Sequence, residues 1–267
     1  MDYIKVQQEL DKIYQEELNI EKLKELFKAK DEDEKVDITK ISAPHILKVD
    51  ENYCNADIKV IFVGKETNKW WGKLDDFINT PNSLEVLKLR YEAEFIGGKV
   101  PKAKNLKEFE TYKAEDWNNL FLKKYKELRD NYFPGLLWAE LLKMDSGAKG
   151  SSRNAIGIKP IEDISISIFK KELEVLKPDF IIFTTSTGQG YDRIIKEIFN
   201  DYETDTSLYY KYNLWKFKSK IYGCTCFRTR HPNATRIKHA QGDEKYSVNE
   251  YYQMIVKDIH VNLNKSV

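Results

Sequence analysis

Two side chains of this sequence, a glutamate and a histidine, stand where they could take part in chemistry. Glu66 comes just after an apolar run that begins at Ile58, and His231 comes just after one that begins at Ile221. A carboxylate at the end of a buried strand can hold a water molecule or face a developing cation. A helix cap or a solvated acid is the simpler role for Glu66, and a structural hydrogen bond is the simpler role for His231. Pro232 stiffens the loop and favours an extended backbone at His231.

The loop that follows the first strand carries polar and aromatic residues in close succession. Thr67 and Asn68 are followed by the pair Trp70 and Trp71. Adjacent tryptophans after a polar turn could stack on a nucleobase. Packing in the core is the alternative for either ring.

A basic segment surrounds the histidine. Between residues 218 and 246 the sequence has seven basic residues against two acidic ones, while the whole chain has a net charge of +1. A local basic patch beside a binding site is what phosphate recognition requires; a solvated basic loop is the alternative. The predicted phosphate contacts are Arg228, Arg230, Arg236 and Lys238.

A glycine-containing turn joins a predicted strand to a predicted helix between Ser186 and Gly190. Backbone N–H groups at Ser186 and Gly188 could bind a phosphate at the start of the helix. An ordinary strand-to-helix turn is the alternative, since neither a dinucleotide-binding glycine pattern nor a Walker lysine is present.

The elements that must position these residues form an α/β pattern. Strands are predicted at 58–64, 179–185 and 221–228, and helices at 164–176 and 191–200. This order indicates a parallel sheet with right-handed crossovers, and ligands bind beyond the carboxyl ends of such strands. Residues 136–143 form either a further strand or a short buried helix, and residues 208–218 suit one arm of a hairpin. Residues 1–30 and 247–263 are predicted to be helical.

Composition narrows the class of protein. The 267 residues include 44 basic and 43 acidic residues, which argues against a general DNA-coating protein. No apolar run is long enough to span a bilayer, and the three cysteines cannot build a four-cysteine metal site. We therefore expect one cytoplasmic domain over residues 1–267, with an N-terminal helical extension over about residues 1–40 and no metal. The sequence does not indicate an oligomeric state.

Two of these loops resemble signature loops of the uracil-DNA glycosylase superfamily. Gly64-Lys65-Glu66-Thr67-Asn68 is similar to the glycine-led motif after the first strand, and His231-Pro232-Asn233 is similar to the histidine–proline motif after the last strand. Residues 138–143 and 179–190 resemble the strands between them. The resemblance covers about residues 42–260 and implies a three-layer α/β/α sandwich around a short parallel sheet.

The resemblance also implies an activity, the removal of a damaged or modified base from DNA. A flipped base enters a pocket and its glycosidic bond breaks through an oxocarbenium-like state. Glu66 would stabilise the cation or orient water, and His231 would hydrogen-bond the departing base. No cofactor is implied, and the partner is single-stranded or duplex DNA, or a nucleotide. The implied base-binding residues are Gly64, Lys65, Thr67, Asn68, Trp70, Trp71, Glu140 and Asn233.

The sequence departs from the family pattern at several positions. Thr67 stands where many members have proline, and Glu140 stands where a base-reading asparagine is common. An ionised acid at that position accepts hydrogen bonds and cannot donate one. The serine–proline after the histidine–proline is missing as well. Two alternatives therefore remain: a non-catalytic module that binds nucleic acid or a modified nucleotide, and a hydrolase of small nucleotides.

Overall fold

The structure is a computed structural model with side chains. It describes residues 2–28, 39–67, 72–97, 99–101, 114–116, 120–146, 155–188, 190–210, 212–236 and 246–263. The elements described below belong to these ranges.

A six-stranded sheet forms the centre of the protein. The strand bounds are β1 Val60–Glu66, β2 Lys99–Pro101, β3 Ala114–Asp116, β4 Leu137–Leu142, β5 Phe180–Phe183, β6 Glu203–Tyr210, β7 Leu214–Ser219 and β8 Cys224–Thr229. The strands of the central sheet lie in the order β4-β1-β5-β8-β7-β6. Neighbours from β4 to β8 pair in parallel, while β7 is antiparallel to β8 and β6 is antiparallel to β7. β2 and β3 form a separate antiparallel pair.

The helices connect and cover the strands. The helix bounds are α1 Tyr3–Glu17, α2 Ile20–Lys28, α3 Glu51–Asn55, α4 Leu74–Asn79, α5 Ser83–Tyr91, α6 Leu120–Asn131, α7 Lys159–Leu176, α8 Tyr191–Ile198 and α9 Val248–Leu263. A π-helical turn, Glu92–Ile96, follows α5, and a 3₁₀ turn, Pro232–Arg236, follows β8. No helix of the described ranges is long and apolar enough to cross a membrane.

Helices pack on both faces of the sheet, because successive side chains of a strand point to opposite faces. On one face, Phe62 of β1 contacts the rings of Phe121 in α6 and Tyr252 in α9, with centroids 5.2 and 6.3 Å away. On the other face, Phe183 of β5 contacts Phe169 in α7, with centroids 6.0 Å apart. The predicted α/β layering is therefore confirmed at the level of a mixed sheet flanked by helices.

A buried ion pair joins the N-terminal helix to the sheet. Nζ of Lys143, just after β4, lies 2.6 Å from Oε2 of Glu172 in α7, and both side chains are fully buried. The hydroxyl of Tyr14 in α1 donates to Oε1 of Glu172 at 2.8 Å and accepts a hydrogen bond from the backbone N–H of Leu47 at 2.9 Å. α1 is thus anchored to the strand β4 through α7.

Three predicted elements differ from the structure in detail. The single N-terminal helix is two helices, because the chain turns at Leu18 and the Asn19 side chain caps α2 by accepting from the N–H groups of Glu21 and Lys22. The segment 208–218 contains a turn at residues 212–213 and so belongs to two strands, β6 and β7. The ambiguous segment at 136–143 is a strand that is buried along its whole length, which is why its sequence shows no clear period.

Candidate functional site

The carboxyl end of β1 places Glu66 at the edge of the sheet, beside Leu142 at the end of β4. Oε2 of Glu66 accepts a hydrogen bond of 2.8 Å from the backbone N–H of Ala155, in the turn before α7. A second hydrogen bond links Glu66 to the side chain of Tyr191, the first residue of α8. The carboxyl group is therefore held by two elements that follow other strands of the same sheet.

Gly190 puts Tyr191 in that position. Its φ of +86° lies in the left-handed region that favours glycine. A Cβ at Gly190 would stand 2.7 Å from Cγ2 of Ile156, so a residue with a side chain there would force the Ile156 side chain to shift. Glycine at this position thus permits the left-handed turn before Tyr191 and leaves room for the residue next to Ala155.

Burial dominates the electrostatics of Glu66. Desolvation raises its pKa to about 7 from an ordinary value of 4.5, and the nearby carboxylate of Asp145 adds to the rise. The Ala155 N–H, Lys65 and the Tyr191 hydroxyl act in the opposite direction. A carboxyl group with a pKa near 7 can accept or release a proton at neutral pH, as general acid–base catalysis requires.

Lys65 lies next to the same groups. Nζ of Lys65 is 5.4 Å from the centroid of the Tyr191 ring, and its charge acts on both Glu66 and His231. Burial lowers the pKa of Lys65 below its ordinary value of 10.5, and the negative charge of Glu66 opposes this change. Lys65, Glu66, Tyr191 and His231 are hereafter called the polar cluster.

The loop after β8 holds His231 by its backbone and its ring. Its N–H donates to Oγ of Ser186 at 3.0 Å, and its Nδ1 accepts from the backbone N–H of Asn233 at 3.1 Å. The ring stacks on Phe121 with centroids 4.7 Å apart and planes 12° from parallel. Burial, together with the charge of Lys65, lowers the pKa of His231 to about 4. The ring is neutral at pH 7, and because Nδ1 is an acceptor, Nε2 carries the proton and is a donor.

Glu140 lies on β4 beside Gly64 of β1. Its Oε1 accepts from the indole N–H of Trp138 at 3.1 Å, while its Oε2 is buried without a hydrogen-bond partner among the described residues. A Cβ at Gly64 would stand 2.2 Å from Oε2, so only glycine leaves room for this carboxyl group. Desolvation raises the pKa of Glu140 well above 4.5 and so favours the protonated acid. In that form it can donate a hydrogen bond, unlike the ionised acid considered from sequence.

Two other predicted substrate contacts, Thr67 and Asn233, form hydrogen bonds within the protein. The hydroxyl of Thr67 is buried and donates to Oδ2 of Asp145 at 3.0 Å, and it lies 2.7 Å from Oγ of Ser42. Asn233 is exposed and positions His231 through its backbone N–H. These contacts give Thr67 and Asn233 roles in fixing the two loops.

The phosphate contacts predicted at Arg228 and Ser186 need correction. Arg228 is 3% exposed on β8, with Nε 3.2 Å from Oδ1 of Asp192 and Nη1 donating to the carbonyl of Tyr212 at 3.2 Å. It forms a buried ion pair and does not present its guanidinium to solvent. The N–H of Ser186 donates to the carbonyl of Thr229 at 3.0 Å, so it is not available to a phosphate.

Arg230 and Gly188 lie nearer to the surface. Nε of the half-buried Arg230 donates to Oδ1 of Asn213. Gly188 is exposed with a φ of +86°. Asn68, Trp70, Trp71 and Lys238 lie outside the described residues, as does the side chain of Arg236.

Two contributors to the site were not predicted from sequence. Tyr191 is predicted from sequence only as the start of a helix, and no local pattern marks its side chain as a partner of Glu66. Phe121, which stacks on His231, lies in a helix far away in the sequence, and no local pattern connects the two. Within the described residues, no three His, Cys, Asp or Glu side chains are grouped closely enough to hold a metal ion.

No protein-family model matches the chain, and no curated protein matches it.

Proposed function

We propose that this protein hydrolyses the N-glycosidic bond of a damaged or modified base in DNA, with a fold like that of the uracil-DNA glycosylases. The observation that carries the proposal is the placement of Glu66 and His231 at the carboxyl edge of the sheet, where Glu66 ends β1 and accepts from the N–H of Ala155, and His231 follows β8 and stacks on Phe121. An open α/β sheet binds its ligands at this edge.

The two predicted catalytic residues have complementary properties for this reaction. Glu66 is ionised above pH 7 and can then stabilise an oxocarbenium-like sugar or orient the attacking water. Neutral His231 can donate from Nε2 to a carbonyl oxygen of the departing base as negative charge develops there. The stacked Phe121 ring and the hydrogen bond to Nδ1 hold the imidazole, and the hydrogen bond from the backbone N–H to Ser186 holds the loop that carries it. The imidazole is therefore already in position before the reaction begins.

The test is a base-release assay on oligonucleotides. Single-stranded and duplex substrates carrying uracil, hypoxanthine and a set of oxidised or alkylated bases are incubated with the protein, and abasic sites are detected by alkaline cleavage. We expect release of at least one base, with loss of activity in Glu66→Gln and His231→Ala and retention in Glu9→Gln, which replaces an exposed glutamate of α1. Binding of a modified oligonucleotide without release would instead support a non-catalytic module.

The pH profile distinguishes the two roles. Activity should rise with pH through about 7, because Glu66 acts as a carboxylate. It should show no fall near 6.5, because the pKa of His231 is about 4 and its ring stays neutral throughout this range. A fall in activity as the pH rises through about 6.5, which a protonated histidine donor would give, would contradict the assignment of His231 as a neutral donor.

A small-nucleotide hydrolase is the second candidate, and one observation favours it. The buried Arg228 pairs with Asp192 and so leaves fewer basic groups beside the site for a polynucleotide backbone. If the protein released base from free deoxynucleosides or deoxynucleotides as fast as from oligonucleotides, the result would support the small-nucleotide hydrolase over the DNA glycosylase.

A further inference from the structure

The arrangement around Lys65 has the components of amine catalysis. Lys65 is half-buried, its Nζ lies 5.4 Å from the centroid of the Tyr191 ring, and that tyrosine is hydrogen-bonded to Glu66. The amine and the carboxyl group therefore both lie beside the side chain of Tyr191 at the end of β1.

A lysine becomes a nucleophile when part of its population is neutral. Partial burial promotes this, and here it lowers the pKa of Lys65. A carboxyl group with a pKa near 7 next to the amine can deliver a proton to a carbonyl oxygen and later remove one from carbon. The hydrolysis of the glycosidic bond proposed above does not require a nucleophilic amine. Lys65 could therefore act as a nucleophile in a second reaction.

The product of base removal supplies a suitable electrophile. A deoxyribose that has lost its base opens to an aldehyde at C1′, the atom that Glu66 faces in the first reaction. We propose that Lys65 forms an imine with the C1′ aldehyde of an abasic deoxyribose and thereby cleaves the DNA strand on the 3′ side of that sugar. The proposal takes its substrate from the proposed function and would make the protein a lyase as well as a hydrolase.

The steps balance without an oxidant or a reductant. The neutral amine of Lys65 adds to C1′, and a proton moves from nitrogen to oxygen to give a carbinolamine. Protonated Glu66 donates its proton to that hydroxyl group, which leaves as water and gives the iminium ion. The Glu66 carboxylate then removes a proton from C2′, and the bond between C3′ and its phosphate oxygen breaks, which releases a 5′-phosphorylated strand. Water hydrolyses the remaining imine and restores the amine.

Borohydride trapping tests the inference directly. The full-length protein is incubated with an oligonucleotide that already contains an abasic site, sodium borohydride is added to reduce any imine to a stable amine, and the adduct is mapped by peptide mass spectrometry. We expect the DNA adduct on Lys65, its complete loss in Lys65→Arg, and its retention in Lys59→Ala, which replaces a lysine just before the opposite end of β1. Mapping on the unmodified protein keeps the test valid even if a variant folds poorly.

The outcomes separate this inference from the proposed function, because the abasic substrate is prepared in advance. An adduct on Lys65 in a protein that releases no base would uphold the lysine chemistry and reject the glycosylase. Release of base with no adduct, or with adducts spread over other amines and unchanged in Lys65→Arg, would reject the lysine chemistry and leave the hydrolase.

Discussion

Removing the ionisable group at Glu66 should make the stability of the protein less dependent on pH. In the wild-type protein the folded-state pKa of Glu66 is about 7, against 4.5 ordinarily. Between these values the folded protein holds a proton that the unfolded chain has released, so wild-type stability falls as pH rises through this window. In Glu66→Gln this contribution is absent, and the variant should gain stability relative to wild type with increasing pH.

The size of the effect follows from the shift in pKa. Each unit of pKa difference corresponds to about 1.4 kcal/mol, which gives about 3 kcal/mol for the full shift. Because the carboxyl group is half-buried and partly screened by solvent, we expect a gain of about 2 kcal/mol between pH 5 and pH 8. The gain should level off above about pH 8, where Glu66 is ionised in both states.

Urea unfolding at unit steps of pH from 5 to 8 measures this gain as a difference between variant and wild type. Other titrating groups cancel in that difference, and Glu9→Gln serves as the control with an exposed glutamate. A difference that stays constant over the whole range would show that Glu66 titrates near 4.5. In that case the inference that burial raises the pKa of Glu66 would be refuted, together with the proposed rise of activity through pH 7.

Three further substitutions test the packing around the site by urea unfolding. Gly64→Ala should lower the free energy of unfolding by about 2 kcal/mol, because the new Cβ overlaps Oε2 of Glu140. This loss should disappear in a Glu140→Ala background. An equal loss in both backgrounds would contradict the overlap. Lys143→Met should lower the free energy of unfolding by about 3–5 kcal/mol, because the buried carboxylate of Glu172 loses its charged partner and keeps only the hydrogen bond from Tyr14. Adding Glu172→Gln should recover part of this loss, and no recovery would point to lost packing instead. Arg228→Ala should lower the free energy of unfolding by about 2 kcal/mol, because it removes a buried ion pair. Replacing an exposed arginine that contacts only phosphate would leave the free energy of unfolding almost unchanged.

The sequence predicts those parts of the fold that local patterns determine. The apolar β-branched run at 58–64 identified β1, and the glycine turn before Tyr191 identified the start of α8. The order of these elements was sufficient to place Glu66 and His231 at the ends of parallel strands. Their ring and hydrogen-bond partners come from α6, α8 and the turn before α7, and no local pattern identifies them.

Arg228 and Glu140 show why side-chain environments were harder to predict than strands. An arginine at the end of an apolar strand could face solvent or the interior, and the choice depends on Asp192 of α8, a different element. The protonation state of Glu140 depends on the burial of β4, which is covered along its whole length although it is the edge strand, and on its register with Gly64. Register between parallel strands is set by tertiary packing and cannot be read from either strand separately.

The close approach of Gly64 and Glu140 restricts how this site can evolve. Because a side chain at residue 64 and a carboxyl group at residue 140 compete for the same space, a lineage that acquires the former first must shift the buried carboxyl group of Glu140, whereas one that loses the carboxyl group first has room for it. The cost of the substitution at residue 64 therefore depends on which change comes first, which is epistasis between adjacent strands. A descendant protein that binds a different ligand at residue 140 would first acquire a smaller side chain there. A residue other than glycine at position 64 would then identify the lineages in which the carboxyl group at residue 140 has been lost.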